Sequence, residues 1–240
     1  EGGVTMSLNI FDTYNLRARV CVSIFYAAPF IFDILCLSHE TFSIAEGIIL
    51  SAVCVTVCQA LLGIHRSPIE KRSTQNTAAE LLSPSSALSS GTRARYYRKL
   101  ASLEPEFQPL LSCIDPNTKG QPCDVDRLCA DVIPWLRAKT REPTTFRLVY
   151  EENINYGYIR NMLRLKPVGL GANIVAIIFF GINIIANIST FTWNEQRAFF
   201  LCVAIHLLVV LYLHLCINDS AVNAAAKRYA YALLETIDSL

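Results

Sequence analysis

Asp33 and His206 lie inside long apolar runs of this 240-residue chain. There Asp33 costs about 2.5–3.5 kcal/mol on insertion scales unless it is paired or neutralised. Such groups face protein or water, not lipid. Three carboxamides accompany them. Asn173, Ala176, Phe180, Asn183 and Asn187 recur at spacings of 3, 4, 3 and 4, which puts the asparagines on one seam of a helix. Cys202, His206, Val209, Leu213 and Cys216 repeat that period in another run, and Gly47, Ser51, Cys54 and Cys58 make a seam of small residues in a third. Three chemistries fit these seams. Asparagines and small residues can join helices, at about 0.6–2 kcal/mol per hydrogen bond. Symmetric copies of the Asn173, Asn183 and Asn187 face can line a pore that Asp33 or His206 modulates. Asp33 and His206 can relay a proton.

Other chemistry has no residues to carry it. No histidine lies between Arg66 and Pro167, and nothing matches a P-loop, a Gly-rich dinucleotide turn or a nucleophile elbow. Cys113, Cys123 and Cys129 have neither a CxxC pair nor a nearby histidine, which argues against a zinc site. Glu151 and Glu152 are adjacent and point in different directions on a helix, poor geometry for a carboxylate dyad. The expectation is no catalytic residue, no metal and no cofactor. A net charge of +1, with 17% charged residues, argues against a disordered chain and makes nucleic-acid binding by this chain alone unlikely.

The elements that must position the polar residues follow from where the 52% of hydrophobic residues fall. Four blocks, Val20–Ser38, Ser43–Ile64, Val168–Ile188 and Ala198–Ile217, are each long enough to cross about 30 Å of hydrocarbon. Pro29 and Asp33 make the first a span rather than a cleaved signal peptide. Of the 21 Lys and Arg residues, only Arg197 lies in a hairpin loop, so both termini and the central segment are predicted cytoplasmic. Phe42, Phe191 and Trp193 lie at the opposite ends, as an outer aromatic belt requires. No cysteine falls in an outer loop, and no structural disulfide is expected. The predicted fold is an all-α integral membrane protein with two transmembrane hairpins separated by a mostly helical cytoplasmic insert. Its parts are a cytoplasmic segment at 1–19, hairpin one at 20–64, the insert at 65–167 with a Ser-rich linker at 73–92, hairpin two at 168–217, and a cytoplasmic amphipathic helix at 218–240.

Within the insert, Arg93–Leu103 reads as a basic helix and Asp124–Lys139 as a helix that Pro134 would bend or split. A third helix, from Pro143 to Lys166, has Glu152, Tyr156, Arg160 and Arg164 on one face, able to form a Glu-to-Arg ladder. Asn153, Gly157 and Asn161 form a small polar groove on another. Either this is a solvated stem or it couples the insert to the spans. In the C-terminal segment, Val222, Ala226, Tyr229, Leu233 and Ile237 form an apolar stripe that should pack on the insert, a partner subunit or the inner leaflet.

The run FRLVYEENINYGYIRNMLRLKPVG at 146–169, with YNLRAR at 14–19 and RARYYRKL at 93–100, resembles a group of poorly characterised bacterial four-span membrane proteins associated with antiviral defence loci. The resemblance implies a bacterial inner-membrane component that senses infection or permeabilises the membrane. The leading expectation is therefore a homo-oligomer in the lipid bilayer. It senses a signal or a cytoplasmic protein partner through its insert and responds through its spans, as a pore in defence would. The alternatives are a membrane scaffold that recruits a cytoplasmic effector, and a small transporter or intramembrane enzyme.

Overall fold

The computed structural model describes residues 13–37, 48, 52–53, 55–57, 77–114 and 124–240. Among these, every regular element is helical: α1 (Thr13–Leu37), α2 (Ser90–Leu103), α3 (Val125–Lys139), α4 (Arg147–Asn187), α5 (Trp193–Cys216) and α6 (Asp219–Glu235), with 3-10 segments at Pro105–Cys113 and Thr236–Asp238. Three of them, α1, α4 and α5, are long and apolar enough to cross a membrane. The second expected span, Ser43–Ile64, falls almost wholly outside the described residues, as do Gly47, Ser51, Cys54 and Cys58; positions 48, 52, 53 and 55–57 are helical. The chain divides into two compact units. One is Glu1–Arg66 with Gly157–Val222, and the other is Ser67–Tyr156 with Asn223–Leu240.

In the first unit, α1, α4 and α5 are held by contacts that also set their directions. Gly157 meets Tyr14 and Ala18, and Gly169 meets Tyr26, so α1 and α4 run parallel. His206 meets Asn173 while Lys166 Nζ donates to the Ile217 carbonyl at 2.6 Å, so α5 returns antiparallel to α4. A Cβ at Gly169 would overlap the Tyr26 ring, and one at Gly157 would lie 2.7 Å from Tyr14 Oη. These glycines let the two backbones approach closely. A π-helical stretch, Leu16–Val20, interrupts α1 there, with the Cys21 N–H reaching back to the Leu16 carbonyl. The Ala18 carbonyl within it accepts from Asn161 Nδ2 at 2.7 Å, and Tyr26 Oη donates to the Met162 carbonyl at 2.7 Å. Val22, Tyr26, Met162, Leu165, Leu213 and Ile217 close the apolar packing at this end.

In the second unit, two helices start on polar side-chain caps. Ser89 accepts from the Thr92 N–H at the head of α2, and Asp124 from the Arg127 N–H at the head of α3. Within the Ser/Thr/Ala-rich stretch, 77–82 is helical with Ala78 and Leu82 fully buried, and Ser83 Oγ donates to Asp126 at 2.7 Å. Pro134 lies inside an unbroken α3, whose Val132, Ile133 and Leu136 are fully buried; that packing outweighs the one backbone bond a proline removes. The C-terminal helix joins this unit: Ala226, Tyr229, Leu233 and Ile237 are buried, Arg95 pairs with Asp238 at 2.8 Å, and Arg137 sits over the Tyr229 ring. Of the three surfaces open to that stripe, the insert is the one it covers.

Two outcomes follow from this packing. Gly169→Ala should lower the thermal stability of detergent-solubilised protein well beyond Gly171→Ala, whose added carbon meets nothing within 4 Å; equal effects would mean that the α1–α4 approach does not matter. Cys129, fully buried against Tyr97, has its thiol pushed up to about 11 by burial. The folded chain therefore keeps a proton that the unfolded chain releases near 9, so this contribution to stability is lost as pH rises from about 9 to 11. Melting temperature measured across that range should fall less steeply in Cys129→Ala than in the wild type.

Candidate functional site

Asp33 on α1, Asn173 on α4 and His206 on α5 meet inside the first unit. Asn173 and His206 are fully buried, and Asp33 is 8% exposed. His206 Nε2 lies 2.8 Å from Asp33 Oδ2, and His206 Nδ1 lies 2.6 Å from Asn173 Oδ1. The Asn173 amide is oriented by its own helix, because Nδ2 donates to the Gly169 carbonyl one turn earlier at 2.7 Å. A backbone carbonyl only accepts, so the NH2 end is held there and Oδ1 is presented to the imidazole. His206 Nδ1 must then carry a hydrogen. Its partner nitrogen, Nε2, shares one proton with Asp33: either a neutral imidazole faces a carboxylic acid, or an imidazolium faces a carboxylate. In both forms the pair is neutral overall.

The surroundings are apolar and aromatic. Phe30 lies 5.1 Å and Phe180 6.0 Å from the imidazole, centroid to centroid, with the Phe180 ring stacked on it. Ala176, Phe180 and Cys202 form a buried cluster with Phe32, Cys36, Phe199 and Val203 around it. The Cys202 thiol lies beside Asp33. Among the described residues, Asp33 Oδ1 is buried with no hydrogen-bond partner. The described residues include no cluster of three or more His, Cys, Asp or Glu able to hold a metal ion.

The other seam asparagines stand apart from this triad. Asn183 and Asn187 are partly exposed, and their amides turn back to the carbonyls of Phe179 at 2.8 Å and Asn183 at 3.1 Å. The candidate coupling residues divide between the two units. Glu152 pairs with Arg228 at 3.5 Å and Tyr156 stacks on Tyr229, so this part of the row meets α6. Asn153 is half-buried beside them. In the first unit Gly157 and Asn161 take α1 into their groove, Arg164 donates to Asn161 Oδ1 at 3.4 Å, and Arg160 is half-buried. Tyr26, Phe30, Ala18 and Tyr229 were not apparent as site residues in the sequence. Tyr26 alone carried a signal, a hydroxyl in an apolar run that requires an acceptor.

No protein-family model, no curated protein and no solved structure matches the chain.

His206→Leu should orphan Asp33 Oδ2 and Asn173 Oδ1 together, at about 1–3 kcal/mol for each buried group left unpaired. Replacing Asp33, Asn173 and His206 all by Leu removes every unmade bond and should recover much of that loss. Unfolding of the detergent-solubilised variants compares the two; a triple variant weaker than the single would show that the three side chains do not satisfy one another.

Proposed function

We propose that the chain is a four-span, homo-oligomeric protein of a bacterial inner membrane with both termini cytoplasmic, and that it acts as a membrane-permeabilising component of antiviral defence. Its cytoplasmic unit takes a signal or a protein partner, and its spans answer by opening a path for ions. The observation that carries this reading is the closed Asp33–His206–Asn173 triad. At rest, two hydrogen bonds join three polar side chains in an apolar bundle. Separating them would turn a carboxyl, an imidazole and a carboxamide toward water, which is how a hydrophobic bundle acquires a wettable path.

The direction of the helices supports a fourth crossing. Parallel α1 and α4 both start at the end of the bundle where Lys166 meets Ile217, so between Leu37 and Gly157 the chain has to return. The apolar run available for that return is Ser43–Ile64. Arg17, Arg19, Arg160, Arg164 and Lys166 gather at the starting end, the cytoplasmic one by the positive-inside rule. Coupling would run through α4, a single 41-residue helix whose Glu152 and Tyr156 contact α6 and whose Asn173 belongs to the triad.

The test uses the purified full chain in liposomes loaded with a fluorescent dye. Wild-type vesicles should stay tight at rest, and His206→Leu, which cannot close the triad, should leak. If neither the wild type nor His206→Leu, Asp33→Leu or Asn173→Leu releases dye or shows conductance in planar bilayers, the pore reading is wrong.

A further inference from the structure

We propose that the Asp33–His206 pair is a proton-binding site that opens the triad when a proton is either added or removed. The proposal rests on the reading of the triad as a latch and names the ligand that works it. The hydrogen-bond directions carry it. The Gly169 carbonyl pins the Asn173 amide, the Asn173 Oδ1 pins a hydrogen on His206 Nδ1, and one further proton lies between Nε2 and Asp33 Oδ2. Only this proton count makes both His206 bonds while leaving the buried pair neutral.

If a proton is added, an imidazolium stands beside a neutral carboxylic acid, and the buried pair bears an uncompensated positive charge. If one is removed, a neutral imidazole has a single N–H for two acceptors. With the hydrogen on Nδ1, the Nε2 lone pair faces a carboxylate; with it on Nε2, the Nδ1 lone pair faces Asn173 Oδ1. Turning the Asn173 amide offers no escape, because its oxygen would then face the Gly169 carbonyl. Removing a proton breaks one of the two bonds that join α5 to its neighbours, and adding one keeps both but leaves the buried pair with a charge that draws water toward it. Among the described residues, the titratable groups facing the pair are the Cys202 thiol from α5 and, from α1, the Cys36 thiol packed in the same cluster. From α4 the pair meets Asn173, Ala176 and Phe180, none of which titrates. Proton count at the pair is thus converted into the state of the bundle.

The experiment measures the site and the response separately. Full-length protein with His39, His65 and His214 replaced by Gln carries 15N-histidine only at position 206, and is studied in lipid bilayers by solid-state NMR and in parallel by dye release from pH 4 to 9. Near neutrality Nδ1 should be protonated and the Nε2 signal should be that of a shared proton. Leak should be minimal where that signal is present and rise on both sides, about tenfold per pH unit until it saturates, as a one-proton step requires. Asn173→Leu removes the pin on Nδ1, so deprotonation no longer breaks the bond to Asp33; the alkaline rise should disappear and the acid rise remain. A bare Nδ1 near neutrality, a His206 spectrum unchanged across the range, or an alkaline rise that survives in Asn173→Leu overturns the proton site. If the NMR behaviour is as expected but no variant leaks at any pH, the proton site stands and the pore is what fails.

Discussion

A carboxyl, an imidazole and a carboxamide persist among apolar helices only while each has the others as partners, because hydrocarbon supplies no substitute for water. That constraint places demands on the bundle well beyond the three residues. Asp33, Asn173 and His206 come from three helices, so their hydrogen bonds fix the rotation and the axial register of α1, α4 and α5 at once. Slipping α5 by one residue would turn His206 by about 100° and leave unmade bonds on both neighbours, and slipping α1 or α4 would leave one on His206. Apolar contacts such as those of Phe30, Phe180 and Phe199 fill space well but tolerate sliding; the triad does not.

The close approach of α1 and α4 makes this geometry reachable. Gly157 and Gly169 remove side chains where the helices cross, Ala18 adds the least, and Tyr26 lays its ring over Gly169 with its hydroxyl on the Met162 carbonyl. The π-helical stretch belongs to the same solution. An irregular turn in α1 presents the Ala18 carbonyl to Asn161, so the departure from α-geometry is matched by a partner on the facing helix. Polar contacts therefore register α1 on α4 near its start and on α5 at Asp33.

Much of this was legible in the residues. Long apolar runs marked α1, α5 and the second half of α4, and the expense of an intramembrane Asp and His singled out two of the triad members. Asn173 was visible as one of three equivalent seam asparagines. Nothing in their spacing distinguished the one that meets His206 from the two that turn back on their own helix, because that choice depends on where a different helix lies. Periodicity tells which of Glu152, Tyr156, Arg160 and Arg164 share a face but not what else meets it: Arg228 and Tyr229 arrive there from more than 70 positions away along the sequence. The π-helical turn had no sequence signature, since it arises from the packing that it serves.

The position of α6 has a consequence for how the protein is made. The second unit buries Ala226, Tyr229, Leu233 and Ile237 against residues translated long before them, with Arg95 reaching Asp238 across almost the whole intervening chain. Between those two halves the ribosome must synthesise α5 and most of α4, segments destined for the bilayer. This unit therefore cannot close its core until α6 is translated, after α5. Until then Arg95 and Arg137 wait without the partners that the C-terminal segment brings, so the finished unit records that the two long apolar helices between its halves have already been made.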